Sequence, residues 1–112
     1  MATLFTDAQR EFLRAQRCGR LLTVDPVTGP AASPVLYQMH GDVVVGGGVD
    51  LAATPAWDDL RRGRAVFVVD EIVPGEPPRS RGVRLEAAAV LDAGPARPVV
   101  RLRAERVEGW GF

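Results

Sequence analysis

Arg64-Ala65-Val66-Phe67-Val68-Val69-Asp70-Glu71-Ile72-Val73 is the stretch on which the fold turns. Valine and phenylalanine dominate it, and such residues suit a pleated, buried surface better than a helix. Gly63 precedes it, and Pro74-Gly75-Glu76-Pro77-Pro78 follows as a stiff loop that can be neither helix nor inner strand. The stretch therefore predicts a strand over 64–73, the strongest in the chain. Downstream, two more strands are predicted at about Gly82–Leu91 and Val99–Gly109, separated by Asp92-Ala93-Gly94-Pro95.

Upstream, Thr54-Pro55 predicts a short helix, with Thr54 as N-cap and Pro55 in the first turn, where its missing donor costs nothing. That helix runs through Trp57, Leu60 and Arg62 and stops at Gly63, with Trp57 on its core side. Before it, Arg20–Val24 and Pro34–Met39 read as strands joined by the turn Asp25-Pro26-Val27-Thr28-Gly29. Pro34 belongs at a strand start or on an edge. His40-Gly41-Asp42 turns the chain into Val43-Val44-Val45, a hairpin that ends in Gly46-Gly47-Gly48. At the front, Thr6-Asp7-Ala8-Gln9 is a capping box opening a helix from about Asp7 to Gln16, with Phe12 and Leu13 inward and Gly19 as a left-handed cap. The fold class is mainly β (α+β), in the order α-β-β-β-α-β-β-β. Six evenly punctuated strands favour a closed or partly closed antiparallel barrel, and closure hides the edges of such valine-rich strands.

The chain has 112 residues, the length of one domain spanning 1–112. Lysine and asparagine are absent and isoleucine occurs once, a bias that fits a GC-rich bacterial genome. All 14 positive charges are arginines, balanced by 14 carboxylates, so no net field gathers nucleic acid or an anionic membrane surface. The single cysteine, Cys18, excludes an internal disulfide and a multi-thiolate zinc site, and no cluster has metal-ligand spacing. Met1-Ala2-Thr3-Leu4 lacks the charged and apolar regions of a signal peptide. Ala65–Val69, an apolar run that no other exceeds, is far below a membrane span. These features predict a cytoplasmic, soluble protein.

Taken in order, several stretches resemble the pyridoxamine-5'-phosphate-oxidase-like split β-barrel family, in its actinobacterial coenzyme F420-dependent branch. They are Phe5-Thr6-Asp7-Ala8-Gln9-Arg10-Glu11-Phe12-Leu13, Gly19-Arg20-Leu21-Leu22-Thr23-Val24, Ser33-Pro34-Val35, Leu51-Ala52-Ala53-Thr54 and Asp59-Leu60-Arg61-Arg62. Further on come Val68-Val69-Asp70-Glu71, Pro78-Arg79-Ser80-Arg81-Gly82-Val83 and Gly109-Trp110-Gly111. The resemblance implies a six-stranded antiparallel split β-barrel with two short helices. It further implies a homodimer whose two cofactor sites are each built from both subunits.

The resemblance also implies an oxidoreductase that moves a hydride between F420 or FMN and a small organic acceptor. The cofactor would supply the chemistry, in keeping with a chain that has no acid–base or nucleophile constellation. His40 reads as a solvated turn residue and Cys18 as a small core residue. No catalytic side chain is assigned. The cofactor ring is expected over Ser33, Pro34 and Val35 and near Gly46 and Gly47, where side-chain-free backbone allows close approach. Its anionic tail is expected near Thr54 and Pro55 at the helix start, with Arg61, Arg79 and Arg81 as cationic contacts. Trp110, between two glycines, is expected to pack on something. Two departures stand out: Pro55 occupies a position where relatives often carry a phosphate-pairing lysine, and Ala87 one where they often carry glycine. They keep open an alternative, a non-enzymatic barrel that binds a flavin-like ligand weakly or not at all.

Overall fold

A computed structural model describes residues 4–92 and 97–112. The readings placed on Met1–Thr3 and on the turn residues Ala93, Gly94 and Pro95 lie outside the described residues. Helix α1 (Asp7–Ala15) opens the chain, followed by β1 (Cys18–Asp25), β2 (Gly29–His40) and β3 (Val43–Gly47). A 3₁₀ turn (Leu51–Ala53) and the short α2 (Trp57–Arg61) lead into β4 (Arg64–Val73), β5 (Arg79–Asp92) and β6 (Val99–Trp110). The strands close antiparallel in the order β1-β2-β3-β6-β5-β4. The barrel and α1 are as expected, β4 has the predicted bounds, and α2 starts later than expected, at Trp57. Among the described residues no helix is long and apolar enough to cross a membrane.

Alternation fills the barrel. Leu21 on β1 faces Phe67 on β4, Phe67 faces Leu85 on β5, and Val44 on β3 faces Leu102 on β6. All five side chains are buried. Full burial of each such side chain is worth about 1.5–3 kcal/mol, so these pairs outweigh any single surface contact. Gly19 corrects the sequence reading. It is no helix cap: α1 ends at Gln16 in extended backbone, and Gly19 lies inside β1. Its hydrogen leaves room for the Phe67 ring, which a Cβ at this position would overlap.

The α1 plug closes one end of the barrel. The capping box forms in full, with Thr6 Oγ1 accepting from the Gln9 amide at 3.1 Å and Gln9 Oε1 accepting from the Thr6 amide at 3.0 Å. Phe12 and Leu13 turn inward beside Phe5. Tyr37, inside the barrel on β2, donates its hydroxyl to the Leu13 carbonyl at 2.6 Å. That carbonyl belongs to the last helical turn, where the backbone supplies no partner. Arg10 ties the plug to the β2–β3 hairpin through Asp42 at 2.8 Å. The 3₁₀ turn and α2 cover the opposite end with Leu51 and Leu60, and Thr23 Oγ1 donates to Asp59 Oδ2 at 2.7 Å.

β2 is twice the length expected and carries Pro30 and Pro34 within it. The Tyr37 amide donates to the Arg17 carbonyl, so odd-numbered residues of β2 bond toward β1 and even-numbered ones point the other way. On that other side β3 ends at Gly47, opposite Leu36. Pro34 therefore sits mid-strand but on a locally open flank, where no ladder bond is lost. The turns form as read. Gly29 and Gly41 adopt φ of 85° and 61°, and the Asp25 carboxylate accepts the Thr28 and Val27 amides, which hold it below its ordinary range.

Tyr37→Phe should strip the Leu13 carbonyl of its partner and cost about 1–3 kcal/mol, measured by chemical denaturation. Tyr37 is the only tyrosine, and burial pushes its pKa far above 10.0. The folded state thus holds this proton more tightly than the unfolded one, so stability is unaffected below pH 10.0 and falls above it. The tyrosinate absorbance band should accordingly appear only together with alkaline unfolding.

Candidate functional site

The interior is packed, and a broad concavity lies outside the barrel. It is an open groove of about 870 Å³ between the end of α1 and the outer face of β2 and β3. Arg14, Gln16 and Arg17 form one rim, Leu36, Gln38 and His40 of β2 lie along the base, and Gly46, Gly47 and Gly48 continue it toward Val99 of β6. The volume falls within the roughly 300–1,000 Å³ of small-molecule and cofactor sites. None of its lining residues is a carboxylate.

Gly47 pairs with the exposed Leu36, so it belongs to the outer face; Gly46 pairs with the buried Tyr37 and turns inward. A Cβ at Gly47 would come within 3.2 Å of Val99 Cγ1. Gly48 has φ of 74°, and a Cβ there would meet Leu36 Cδ1 at 2.9 Å. Glycine at both positions keeps the base flat. A base that mixes Leu36, Val45 and Val99 with Gln38, His40 and glycine backbone, beside a cationic rim, suits a flat ligand that carries negative charge.

The other expected site residues are scattered. Ser33 and Val35 turn into the barrel and are buried, so neither side chain meets a ligand on the outer face, whereas Pro34 between them is exposed there. Ser33 Oγ is buried without a hydrogen-bond partner. Thr54 does not cap α2: its hydroxyl donates to the Leu51 carbonyl at 2.7 Å, and Ala56 holds the N-cap position without a side-chain bond. Pro55 precedes that cap rather than occupying the first helical turn. α2 has only 5 residues, and Asp58 and Asp59 stand in its first turn. Two carboxylates there disfavour a phosphate at this helix start. Arg61 is exposed at the far end of α2.

Arg79 and Arg81 lie within β5, which begins three residues before the strand expected from Gly82. Arg79 is exposed. Arg81 is engaged by its own chain: its guanidinium bonds Glu71, lies 5.2 Å from the Phe12 ring centre and 5.7 Å from that of Phe112. Trp110 does pack on something. Its indole covers Gly82, where a Cβ would overlap the ring, and its Nε1 donates to Ser80 Oγ at 2.9 Å. This C-terminal segment thus braces α1 against β5, and Arg81 and Trp110 serve that brace. Trp57 packs against the core as read, and His40 is exposed at the end of β2. Cys18 is exposed rather than buried, on the outer face opposite Leu36. Sequence reasoning missed Arg14, Arg17, Leu36 and Gln38. Their only signal was a helix ending beside a glycine-rich strand, and nothing in the sequence brought those two segments together.

No family model and no curated protein matches the sequence. Solved structures do match in three dimensions. One is an FAD-binding protein from Mycobacterium smegmatis, 15% identical, with a TM-score of 0.71 over 97% of each chain. A conserved hypothetical protein from Mycobacterium tuberculosis is 19% identical, with a TM-score of 0.71 over 95% of this chain and 84% of that one. A candidate pyridoxamine 5'-phosphate oxidase from Listeria innocua is 15% identical, with a TM-score of 0.70 over 95% and 98%. The chain therefore has the split-barrel fold of the pyridoxamine-5'-phosphate-oxidase-like proteins.

Ser33→Ala removes a hydroxyl with no partner, and is expected to leave stability unchanged or raise it by about 1 kcal/mol, with no effect on ligand binding. Glu71 is held below its ordinary 4.5 by the Arg81 guanidinium first and by Gln16 second. Its contribution is present above pH 4.5 and is lost as the pH falls through the lowered folded value. Acid titration should therefore loosen the C-terminal brace, read as a change in tryptophan fluorescence that Glu71→Gln abolishes.

Proposed function

We propose that the chain is a flavin- or deazaflavin-binding oxidoreductase, one domain over its whole length, whose cofactor lies in the outer groove. The observation that carries this reading is the groove itself: of cofactor size, floored by Gly47 and Gly48, rimmed by arginine and free of carboxylates. Leu36, Val45 and Val99 offer apolar surface to a planar ring, and Gln38 a polar contact at its edge. When bound, the cofactor, F420 or FMN, would exchange a hydride with a small conjugated organic acceptor. The protein's part is to bind, orient and shield, since no acid–base pair lines the groove. Structural relatives described as FAD-binding proteins support a flavin over other planar ligands.

The working unit is proposed to be a cytoplasmic homodimer. On the outer face, Leu22 sits between Ala32 and Val66, and Arg20 between Pro34 and Val68. Val24 and Leu36 on the same face are 75% and 55% exposed. A second copy would cover these residues, and because Leu36 also lines the groove, the partner would wall each groove from one side. The alternative, a barrel that has lost its cofactor, is favoured by one observation: the first turn of α2 carries Asp58 and Asp59, and Pro55 before it offers no cationic side chain.

Titrating FMN, FAD and F420 separately, followed by fluorescence, decides between the two. Micromolar binding of one of them is expected, with Gly47→Val weakening it at least about tenfold by filling the base of the groove; no binding at millimolar ligand leaves the degenerate barrel. For the dimer, Cys18 should be slow to react with a bulky maleimide at high protein concentration and fast on dilution. Equal rates at both concentrations, with a monomer in sedimentation, would refute that interface.

A further inference from the structure

We infer that Arg14 and Arg17 are the anion anchor of the groove, holding the phosphorylated end of its ligand; this rests on reading the groove as the ligand site. The two arginines rim a cavity with no carboxylate in its lining. Both are exposed, and neither has an ion pair or a side-chain hydrogen bond among the described residues. Arg10, one turn earlier on the same helix, is by contrast locked between Asp7 at 2.9 Å and Asp42 at 2.8 Å.

Two carbonyls at the end of the helix are satisfied without these two charges. A helix C-terminus attracts cations because its last carbonyls lack partners. Here the Leu13 carbonyl already accepts from Tyr37 and the Phe12 carbonyl from the Gln16 amide. Arg14 and Arg17 are therefore left with donors to spare, beside a base open enough to seat a ring. Two guanidiniums three residues apart suit an oxyanion with several acceptor oxygens, a phosphate monoester or a pyrophosphate.

The competing positions are worse. Arg61 shares α2 with Asp58 and Asp59. Arg64 shares its hollow with Asp59, Glu86 and Glu105. Arg81 is held by Glu71. At the α1 end, two arginines without an ion pair among the described residues meet a cavity whose lining carries no opposing charge. The anion-binding role expected at the start of α2 thus moves to the end of α1, on the far side of the barrel.

The test compares FMN with riboflavin, which has the same ring and no phosphate, and uses pyrophosphate as a ring-free probe. Wild type should bind FMN at least about tenfold more tightly than riboflavin. The Arg14→Gln/Arg17→Gln protein should lose that preference while its riboflavin affinity stays constant, and Arg14→Lys/Arg17→Lys should keep part of it. Pyrophosphate should shift the arginine side-chain NMR signals of residues 14 and 17 in wild type. An FMN preference that survives in the double glutamine variant would overturn the assignment, as would pyrophosphate leaving both signals unmoved. Pyrophosphate binding at these arginines without binding of either flavin would uphold the anchor and refute the flavin reading. Circular dichroism of the variants, both altered at exposed positions, checks that the fold persists.

Discussion

A closed ring of strands whose interior is filled has no room for a ligand, and that constraint governs the molecule. Leu21, Phe67 and Leu85 meet across three neighbouring strands, and the Phe67 ring takes even the space beside Gly19. α1 stops one end and the 3₁₀ turn with α2 stops the other. Function is displaced to the outer surface, where backbone, arginines and short apolar side chains are what the chain can offer. A chemistry supplied by a bound cofactor is the one most compatible with such a surface.

Local signals were legible where one physical effect dominates. The capping box at Thr6 and Gln9, the turns at Gly29 and Gly41, and the bounds of β4 all follow from side chains and their immediate neighbours. Longer-range determinants were hidden. Gly19 looks like a helix terminator, and only the register of β1 against β4 brings Phe67 over it. Pro34 looks like a strand boundary, and only the early end of β3 makes it tolerable in mid-strand. Thr54-Pro55 looks like a helix start, but the preceding 3₁₀ turn claims the threonine hydroxyl first.

The candidate site was half legible for the same reason. Gly46 and Gly47 advertise close approach in sequence, and both line the groove. The arginines of α1 read as the solvated side of an amphipathic helix, which on a lone helix they would be. They become part of a cavity because Tyr37 and Asp42 fix that helix over the β2–β3 hairpin. Arg81 and Trp110 make the opposite point. Both look like ligand residues in sequence, and both are spent on holding the C-terminal segment against α1 and β5. Charge and aromaticity mark a residue as able to bind something; the fold decides whether that something is its own chain.

The open flank of β2 carries a further consequence. Its even-numbered positions face away from β1, and two of the three between Pro30 and Pro34 have no N–H to offer. A stranger's strand arriving there finds carbonyls but only one donor, at Ala32, and cannot zip on. The barrel thus keeps a seam that offers an incoming strand few donors, a consequence of where the two prolines fall in the register.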